Sequence, residues 1–375
     1  MSNKTYETWL DIDLGAIRNN LQMVGKISGL PTAAVIKADA YGHGIVPVSQ
    51  AAIQAGAVML AVARFTEARE LRNAGFVEPI LVLGMIPPDN VMEACVTHVS
   101  GTLFNKEQIA IYENILSGTG NRLSVHVKID SGMGRLGFPA EDGLKLLQAV
   151  KDSRYLVADG LFTHLARADE PGIDTTDWQL DRFDRLLAEV EANGLRPPLV
   201  HTANSAGALF HPRCGRYDMV RVGEAMYGMN PSPDALLPEG FRPALSWKAG
   251  ITSVKMIPGG MGISYGHHYI THGDAQRVGV IPVGYADGYR RVPGNTVLVH
   301  GQAVPVIGSV CMDQCMIDLN DIPTAKIGDE AVLIGQQGGA EISVDQVAKL
   351  WNTINYEVTC GIAKRVNRYY SRSAE

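Results

Sequence analysis

Lys37 closes an apolar, strand-like run in "TAAVIKADAYGHG", residues 32–44. A lysine in a core is costly while charged and unpaired. Either its ammonium reaches water past the strand edge, or its pKa is depressed and the amine works as an imine-forming nucleophile. The second use requires a carbonyl partner, of which pyridoxal phosphate is the usual one. Tyr41 could be a core ring or a phosphate ligand, and the glycines of "YGHG" let backbone approach closely. Other apolar runs end in Lys128 with Asp130, in His164, in Asn204 with Ser205 and in Arg221. "HTANSAGAL" places Asn204 and Ser205 before a helix start, where a hydroxyl and backbone N–H groups bind phosphate. The structural alternative for Ser205 is an N-cap. Gly223 in "RVGEAMYG" is a second point of close approach, and Arg221 before it needs an acceptor, which a pyridine nitrogen would supply. Arg135, in "KIDSGMGRLGF", is either a solvated loop residue or a ligand for a carboxylate or cofactor oxygen. Tyr265, in "GISYGHHY", is either core or a general base with its pKa pulled below about 10 by nearby cations. His267 and His268 are adjacent, so on a strand they face opposite ways and should not share a metal ion. No metal site is expected.

These residues need a scaffold that brings strand ends together. Strand-like runs ("TAAVIK", "VMLAVA", "PILVLG", "VSGTLF", "LSVHVKID", "ADGLFTHL", "PLVHTAN", "DMVRVGEAMYG") alternate with amphipathic helical patterns through the first part of the chain. That alternation predicts an α/β fold, an N-terminal (β/α)8 TIM-like barrel, whose active site lies where the strands end. A doubly wound open sheet is the alternative. The proline-rich "MNPSPDALLPEGFRP" reads as a linker. Beyond it, "SWKAGITSVKMI", "RVGVIPVG", "NTVLVHG", "AVPVIGSVCMDQCMIDL" and "DEAVLIG" read as strands, with "SVDQVAKLWNTI" as the one firm helix. The predicted domains are a barrel over residues 1–238 and a mostly β domain over 239–375.

Composition narrows the function classes. Of 375 residues, 46% are apolar and 19% charged, which suits a soluble globular protein. A net charge of −6 without a basic block argues against nucleic-acid or anionic-membrane surfaces. The opening "MSNKTYETWLDIDLGAI" carries charges where an export signal would be apolar. Five scattered cysteines fit a reducing compartment, so a cytoplasmic location is expected. Cys311 and Cys315 form a CxxxC without further zinc ligands and read as buried thiols.

Taken together, "DIDLGAIRNN", "AAVIKADAYGHG", "VHVKIDSGMGRLGF", "GLFTHLARADE", "HTANSAGAL", "RVGEAMYG", "ISYG", "PVGYADGYRR", "GSVCMDQCMIDL" and "INYEV" resemble the alanine racemase family along nearly the whole chain. The resemblance implies a pyridoxal 5'-phosphate enzyme with a barrel and a C-terminal β domain that interconverts L- and D-alanine, supplying D-alanine for cell-wall peptidoglycan. It implies that Lys37 carries the cofactor and acts on the D-enantiomer, while Tyr265 acts on the L-enantiomer from the other subunit of a head-to-tail homodimer. By position, Arg221 would bond to the pyridine nitrogen with His164 behind it. Tyr41, Asn204, Ser205, Gly223, the backbone of Glu224 and Tyr356 would hold the cofactor, mainly at its phosphate. Arg135 would contact the phenolic oxygen and the substrate carboxylate, Met312 and Asp313 the substrate, and Tyr285 with Asp287 would line the access channel. Lys128 matches a lysine carbamylated in some members. Two departures bear on the transfer: Glu224 replaces an apolar residue, so its carboxylate should turn from the phosphate, and Ser309 replaces a channel arginine. A racemase of the same mechanism preferring serine or a larger amino acid is the alternative. A decarboxylase would want an acid at the pyridine nitrogen, and non-catalytic pyridoxal-binding barrels lack the second domain.

Overall fold

A computed structural model describes residues 6–170 and 172–371. Its contacts fall into two compact units: one comprises Ala16–Ala40 and Ile45–Arg242, the other the described parts of Met1–Gly15, Tyr41–Gly44 and Pro243–Glu375. No helix among the described residues is long and apolar enough to cross a membrane.

The first unit is the expected barrel. Its strands are β1 (Thr32–Val35), β2 (Met59–Val62), β3 (Ile80–Val82), β4 (Val99–Leu103), β5 (Leu123–Asp130), β6 (Leu156–Phe162), β7 (Leu199–His201) and β8 (Val220–Val222). They run parallel in the order β8-β1-β2-β3-β4-β5-β6-β7. The ring closes through backbone bonds from Asp218 N to Val200 O (2.8 Å) and Arg221 N to Ala203 O (3.0 Å). Most of these strands are short and largely apolar because both faces are covered: β1, β2, β3 and β8 are buried at every position, Arg221 on β8 included. Amphipathic helices such as Gly143–Asp152 and Thr175–Ala192 turn Leu146, Leu147, Val150, Phe183 and Leu186 inward. Several strands stop earlier than their apolar runs suggest, so Lys37, His164 and Asn204 lie just beyond them.

In the second unit, Thr8–Asp13 pairs antiparallel with Leu245–Gly250 and parallel with Asn367–Ser371 inside one large, mostly antiparallel sheet. Two runs that read as single strands are broken. "SWKAGITSVKMI" becomes Leu245–Gly250 and Ser253–Pro258, because Ile251 N bonds to Asp329 O and Thr252 N to Val280 O, so the chain changes partner strand there. "AVPVIGSVCMDQCMIDL" becomes Gln302–Ile307 and Cys315–Asp318, separated by a loop that starts at Gly308 with φ +69°. A Cβ there would lie 2.7 Å from Ile263 O, so glycine permits the turn. A short helix absent from the sequence reading, Asn355–Cys360, follows Val344–Leu350 and carries Tyr356.

Candidate active site

Each unit carries its own group of the predicted residues. In the barrel, Lys37 opens a turn in which Ala38, Asp39, Ala40 and Tyr41 all have φ between 53° and 55°, a run of left-handed backbone. Left-handed conformation costs an L-residue roughly 1–2 kcal/mol each, so the surroundings must hold it. Glu67 does so: Oε1 accepts from Ala38 N (2.6 Å), and Oε2 accepts from Ala63 N (2.8 Å) and Arg64 N (2.9 Å). Asp39 Oδ1 accepts from Ile45 N at 2.8 Å on the far side of the turn. Glu67 thereby ties the turn after β1 to the one after β2 and fixes where Lys37 leaves its strand. Strain of this kind concentrates at functional sites.

After β5, Asp130 Oδ1 accepts from Gly132 N, Met133 N and Gly134 N at 2.8–3.1 Å, shaping the loop that presents exposed Arg135. Burial would raise the Asp130 carboxyl, but those backbone donors outweigh it and hold it below the usual range. Lys128 is buried, with its ammonium over the Phe162 ring at 5.2 Å. Burial, then the charges of Arg221 and Arg135, push its amine down to about 7 against the opposing pull of Asp130.

Arg221 is the most constrained group. NH1 donates to His201 Nδ1 (2.8 Å) and His201 O (3.1 Å); NH2 donates to Thr163 O and Thr202 O (2.9 Å each), with His164 Nδ1 at 3.2 Å. No acceptor among the described residues takes Nε–H, and no carboxylate bonds to the guanidinium. Burial pushes Arg221 down to about 10, and burial with the Arg221 charge holds His164 well below its ordinary value. The capping role falls to Asn204, whose side chain accepts from Gly207 N at 3.0 Å. That leaves the buried Ser205 hydroxyl to take Gly223 N at 2.9 Å and Ala225 N at 3.4 Å. Ser205, Gly223 and Glu224 thus form one small backbone cradle. Burial raises the Glu224 carboxyl, opposed by its own backbone N–H, the Lys37 charge and a Ser205 hydrogen bond.

The second unit groups the remainder. Tyr41 meets Tyr356 edge-on, ring centroids 6.3 Å apart. The glycines after Tyr41 are needed for close approach: a Cβ on Gly42 would lie 2.2 Å from Thr359 O, and one on Gly44 2.0 Å from the Tyr370 hydroxyl. Tyr265 sits on a tight turn rather than a strand, 71% exposed. Ser264 Oγ donates to Ser309 O (2.7 Å) and Ser309 Oγ to Tyr265 O (3.2 Å), so Ser309 braces that turn. Tyr285 N bonds to Cys311 O and Ala286 N to Met312 O (3.0 Å each), joining the loops that expose Tyr285 and Met312. Asp287 is buried; its carboxylate takes Gly284 N (2.8 Å) and Arg365 Nε (2.6 Å), while Arg365 also reaches Asp313 at 2.7 Å. Cys315 is buried and Cys311 half-buried, with Cys311 Sγ 3.3 Å from Ser264 Oγ. Among the described residues no group of His, Cys, Asp or Glu could hold a metal ion.

Sequence reasoning passed over Glu67, Arg365, His126 and His201. Glu67 stands three residues after Arg64 at a helix start, the capping-box position for an acid. His126 shares an inward strand face with Lys128, a period-2 signal. Arg365 left no local signal, since its partners are distant in the chain.

Residues 12–231 match the family profile "Alanine racemase, N-terminal domain" and 244–370 "Alanine racemase, C-terminal domain". The chain is 44% identical over 371 residues to an alanine racemase of Symbiobacterium thermophilum, covering 97% of each. It superposes with a TM-score of 0.93 and 38% identity on the crystal structure of alanine racemase from Bacillus anthracis with bound L-Ala-P, covering 99% of this chain and 96% of that one. A histidine racemase from Leuconostoc mesenteroides subsp. sake is also similar, with TM-score 0.90, 30% identity and 98% of each chain covered. The chain belongs to the alanine racemase family.

Proposed function

We propose that this protein is a pyridoxal 5'-phosphate-dependent racemase that interconverts L- and D-alanine, with Lys37 and Tyr265 as its two bases. The observation that carries the reading is Arg221: a buried arginine whose NH1 and NH2 are spent on carbonyls and imidazoles, leaving Nε–H and an uncancelled charge. Such a donor suits a pyridine nitrogen that stays unprotonated, as racemisation favours and decarboxylation does not. The residues present fit the cofactor in other respects too. Lys37 would supply the amine, and the Ser205–Gly223–Glu224 cradle a hydroxyl and backbone N–H groups for its phosphate; the family resemblance adds Tyr41 and Tyr356 as phosphate ligands. Asn204 shapes the cradle as its cap.

Bound pyridoxal phosphate would contribute delocalisation of the electron pair left at the α-carbon. The chain's own task is to move the proton on both faces. Lys37 would take or return it on the face that serves D-alanine, and Tyr265 on the face that serves L-alanine. A single base would only exchange the proton, whereas opposed bases invert the centre. Exposed Tyr265, Met312 and Asp313 suit a head-to-tail homodimer in which the C-terminal unit of one copy completes the barrel site of the other. Arg135 would bind the carboxylate, and Tyr285 and Asp287 would shape the access channel, Asp287 through its hold on Gly284 and Arg365. The product would serve peptidoglycan synthesis in the cytoplasm.

Lys128, an amine pushed down to about 7 by burial and by the charges of Arg221, Arg135 and Lys37, is suited to carbamylation: its unprotonated nitrogen adds to carbon dioxide, releasing a proton and leaving an anion that offsets those charges. Labelled bicarbonate should give a carbamate carbon signal that Lys128→Ala removes.

A second reading has a specific basis: the histidine racemase similarity extends over the full chain. Incubating the loaded protein in D2O with L-alanine, L-serine or L-histidine, and following α-proton exchange with chiral analysis, separates the two. Deuterated D-alanine supports alanine racemisation. Exchange confined to serine or histidine moves the substrate, and exchange without inversion removes one base from the mechanism.

A further inference from the structure

Behind Arg221 lies a pair of buried imidazoles that the proposed reaction does not use. His201 Nδ1 accepts from Arg221 NH1 at 2.8 Å, and His201 Nε2 lies 2.9 Å from His126 Nδ1. Resting on the reading of Arg221 as the ligand of the cofactor ring, we infer that His126 and His201 are positioning residues that orient Arg221 through a one-way hydrogen-bond chain and leave its charge uncancelled.

The direction follows from the donor inventory. Arginine only donates, so His201 Nδ1 must carry a lone pair and its proton must sit on Nε2. That Nε2–H then points at His126 Nδ1, which must accept, putting the second imidazole's proton on its own Nε2. Each ring is neutral and has one tautomer, chosen by Arg221. Protonating His201 would turn an N–H toward a cation. Among the described residues, the charged and titratable groups facing the pair are Arg221 and Lys128, with His164 and the Cys214 thiol beside Arg221; no carboxylate bonds to either ring. Burial first, then the Arg221 charge, push His126 down to about 4 and hold His201 well below its ordinary value.

The barrel is built to admit this pair. Both rings are at most 1% exposed. The pairing of β5 with β6 shifts register between Val125 and His126, and Gly160 on β6 leaves the room: a Cβ there would lie 2.2 Å from His126 Nδ1. Phe162 stacks on His201 (centroids 4.8 Å, 14°) and meets His126 edge-on. A carboxylate in place of His201 would bind the guanidinium equally well but would neutralise it. A neutral acceptor fixes geometry and keeps the charge for the ring nitrogen.

The test has two parts. In protein stripped of cofactor and labelled with [15N]histidine, His126 and His201 should both show the Nε2–H tautomer and no titration between about pH 6 and pH 9. A Nδ1–H tautomer, or titration of either ring in that range, overturns the inference. In reconstituted enzyme, His201→Leu should lower kcat by roughly tenfold to a hundredfold, as losing an outer partner of a metal ligand does. It should also shift the cofactor absorbance and its pH dependence. His201→Asn, which restores an acceptor for Arg221, should recover the parent spectrum and most of the rate. A His201→Leu enzyme with parental spectrum and pH profile but a lower Tm overturns the inference, as does an Asn variant no better than Leu. A parent protein that binds the cofactor but racemises no amino acid overturns the proposed function instead, and the NMR result still decides the hydrogen-bond chain.

Discussion

The candidate site residues of the barrel and those of the C-terminal unit are built on opposite plans. In the barrel, Arg221, Ser205 and Lys128 are buried, and Arg221 and Ser205 are locked by backbone partners on neighbouring strand ends. In the C-terminal unit, Tyr265, Met312 and Tyr285 are 71%, 53% and 47% exposed, on loops braced from behind by Ser309, Asp287 and Arg365. Arg221, Ser205 and Lys128 find their partners within their own unit, whereas the other group presents side chains outward from braced loops. A large aromatic base held in that way suits work on a second copy of the chain.

The strongest way to break this comparison is complementation. Lys37→Ala and Tyr265→Phe should each abolish or nearly abolish racemisation as pure dimers. Dissociated and reassociated together, they should recover roughly a quarter of parental activity, since half of randomly formed dimers are mixed and each holds one intact site. No recovery would place Tyr265 in its own subunit's site. Within Tyr265→Phe alone, isotope-resolved kinetics should show abstraction from L-alanine slowed far more than from D-alanine.

Glu67→Ala attacks the barrel half without touching the proposed chemistry. It releases the amides of Ala38, Ala63 and Arg64, so the left-handed turn should relax and carry Lys37 off position. Displacements near 1 Å can cost on the order of a hundredfold, and kcat should fall by that order while Glu67→Gln keeps part of it. Full activity in Glu67→Ala would mean the turn holds itself.

A pH experiment sharpens the electrostatic side. The Lys128 amine sits at about 7 in the folded, unmodified protein, below its unfolded value of 10.5. Between those values the unfolded chain binds more protons, so stability rises with pH across the window. In carbon-dioxide-free buffer, Tm should therefore increase from pH 7 toward pH 10 more steeply in the parent than in Lys128→Met. Equal slopes would show that Lys128 is solvated or paired.

The smallest effect belongs to the C-terminal brace. Arg365 is half exposed, so solvent screens its pairs, and Arg365→Met should lower Tm only modestly, through the buried Asp287 carboxylate that loses a partner. It should loosen the loops of Asp287 and Asp313, raising KM more than it lowers kcat. The reverse pattern would give Arg365 a part in the reaction itself.

Much of this was legible in the chain, for local reasons. Apolar runs covered on both faces marked the barrel strands, and a lysine or arginine ending such a run marked the site, because burying a charge demands an explanation. Lys37 lies just beyond β1, Lys128 near the end of β5 and Arg221 within β8, the positions that logic expects. The run 246–257 misled because its break is made by a change of partner strand, and 303–319 because Gly308, inside an otherwise strand-like run, turns the chain at positive φ. Ser205 and Asn204 exchanged the capping role because either side chain suits it. The sequence by itself determined the family, the alternation of strand and helix, and which side chains had no bland place to go. Tertiary structure alone decided the left-handed turn at Lys37, which needs Glu67 from the next strand–helix unit. It also decided the tautomers of His126 and His201, which follow from a guanidinium on another strand. Hydrogen bonds between residues far apart in the chain leave no periodic trace, and only the folded barrel brings their donors and acceptors into line.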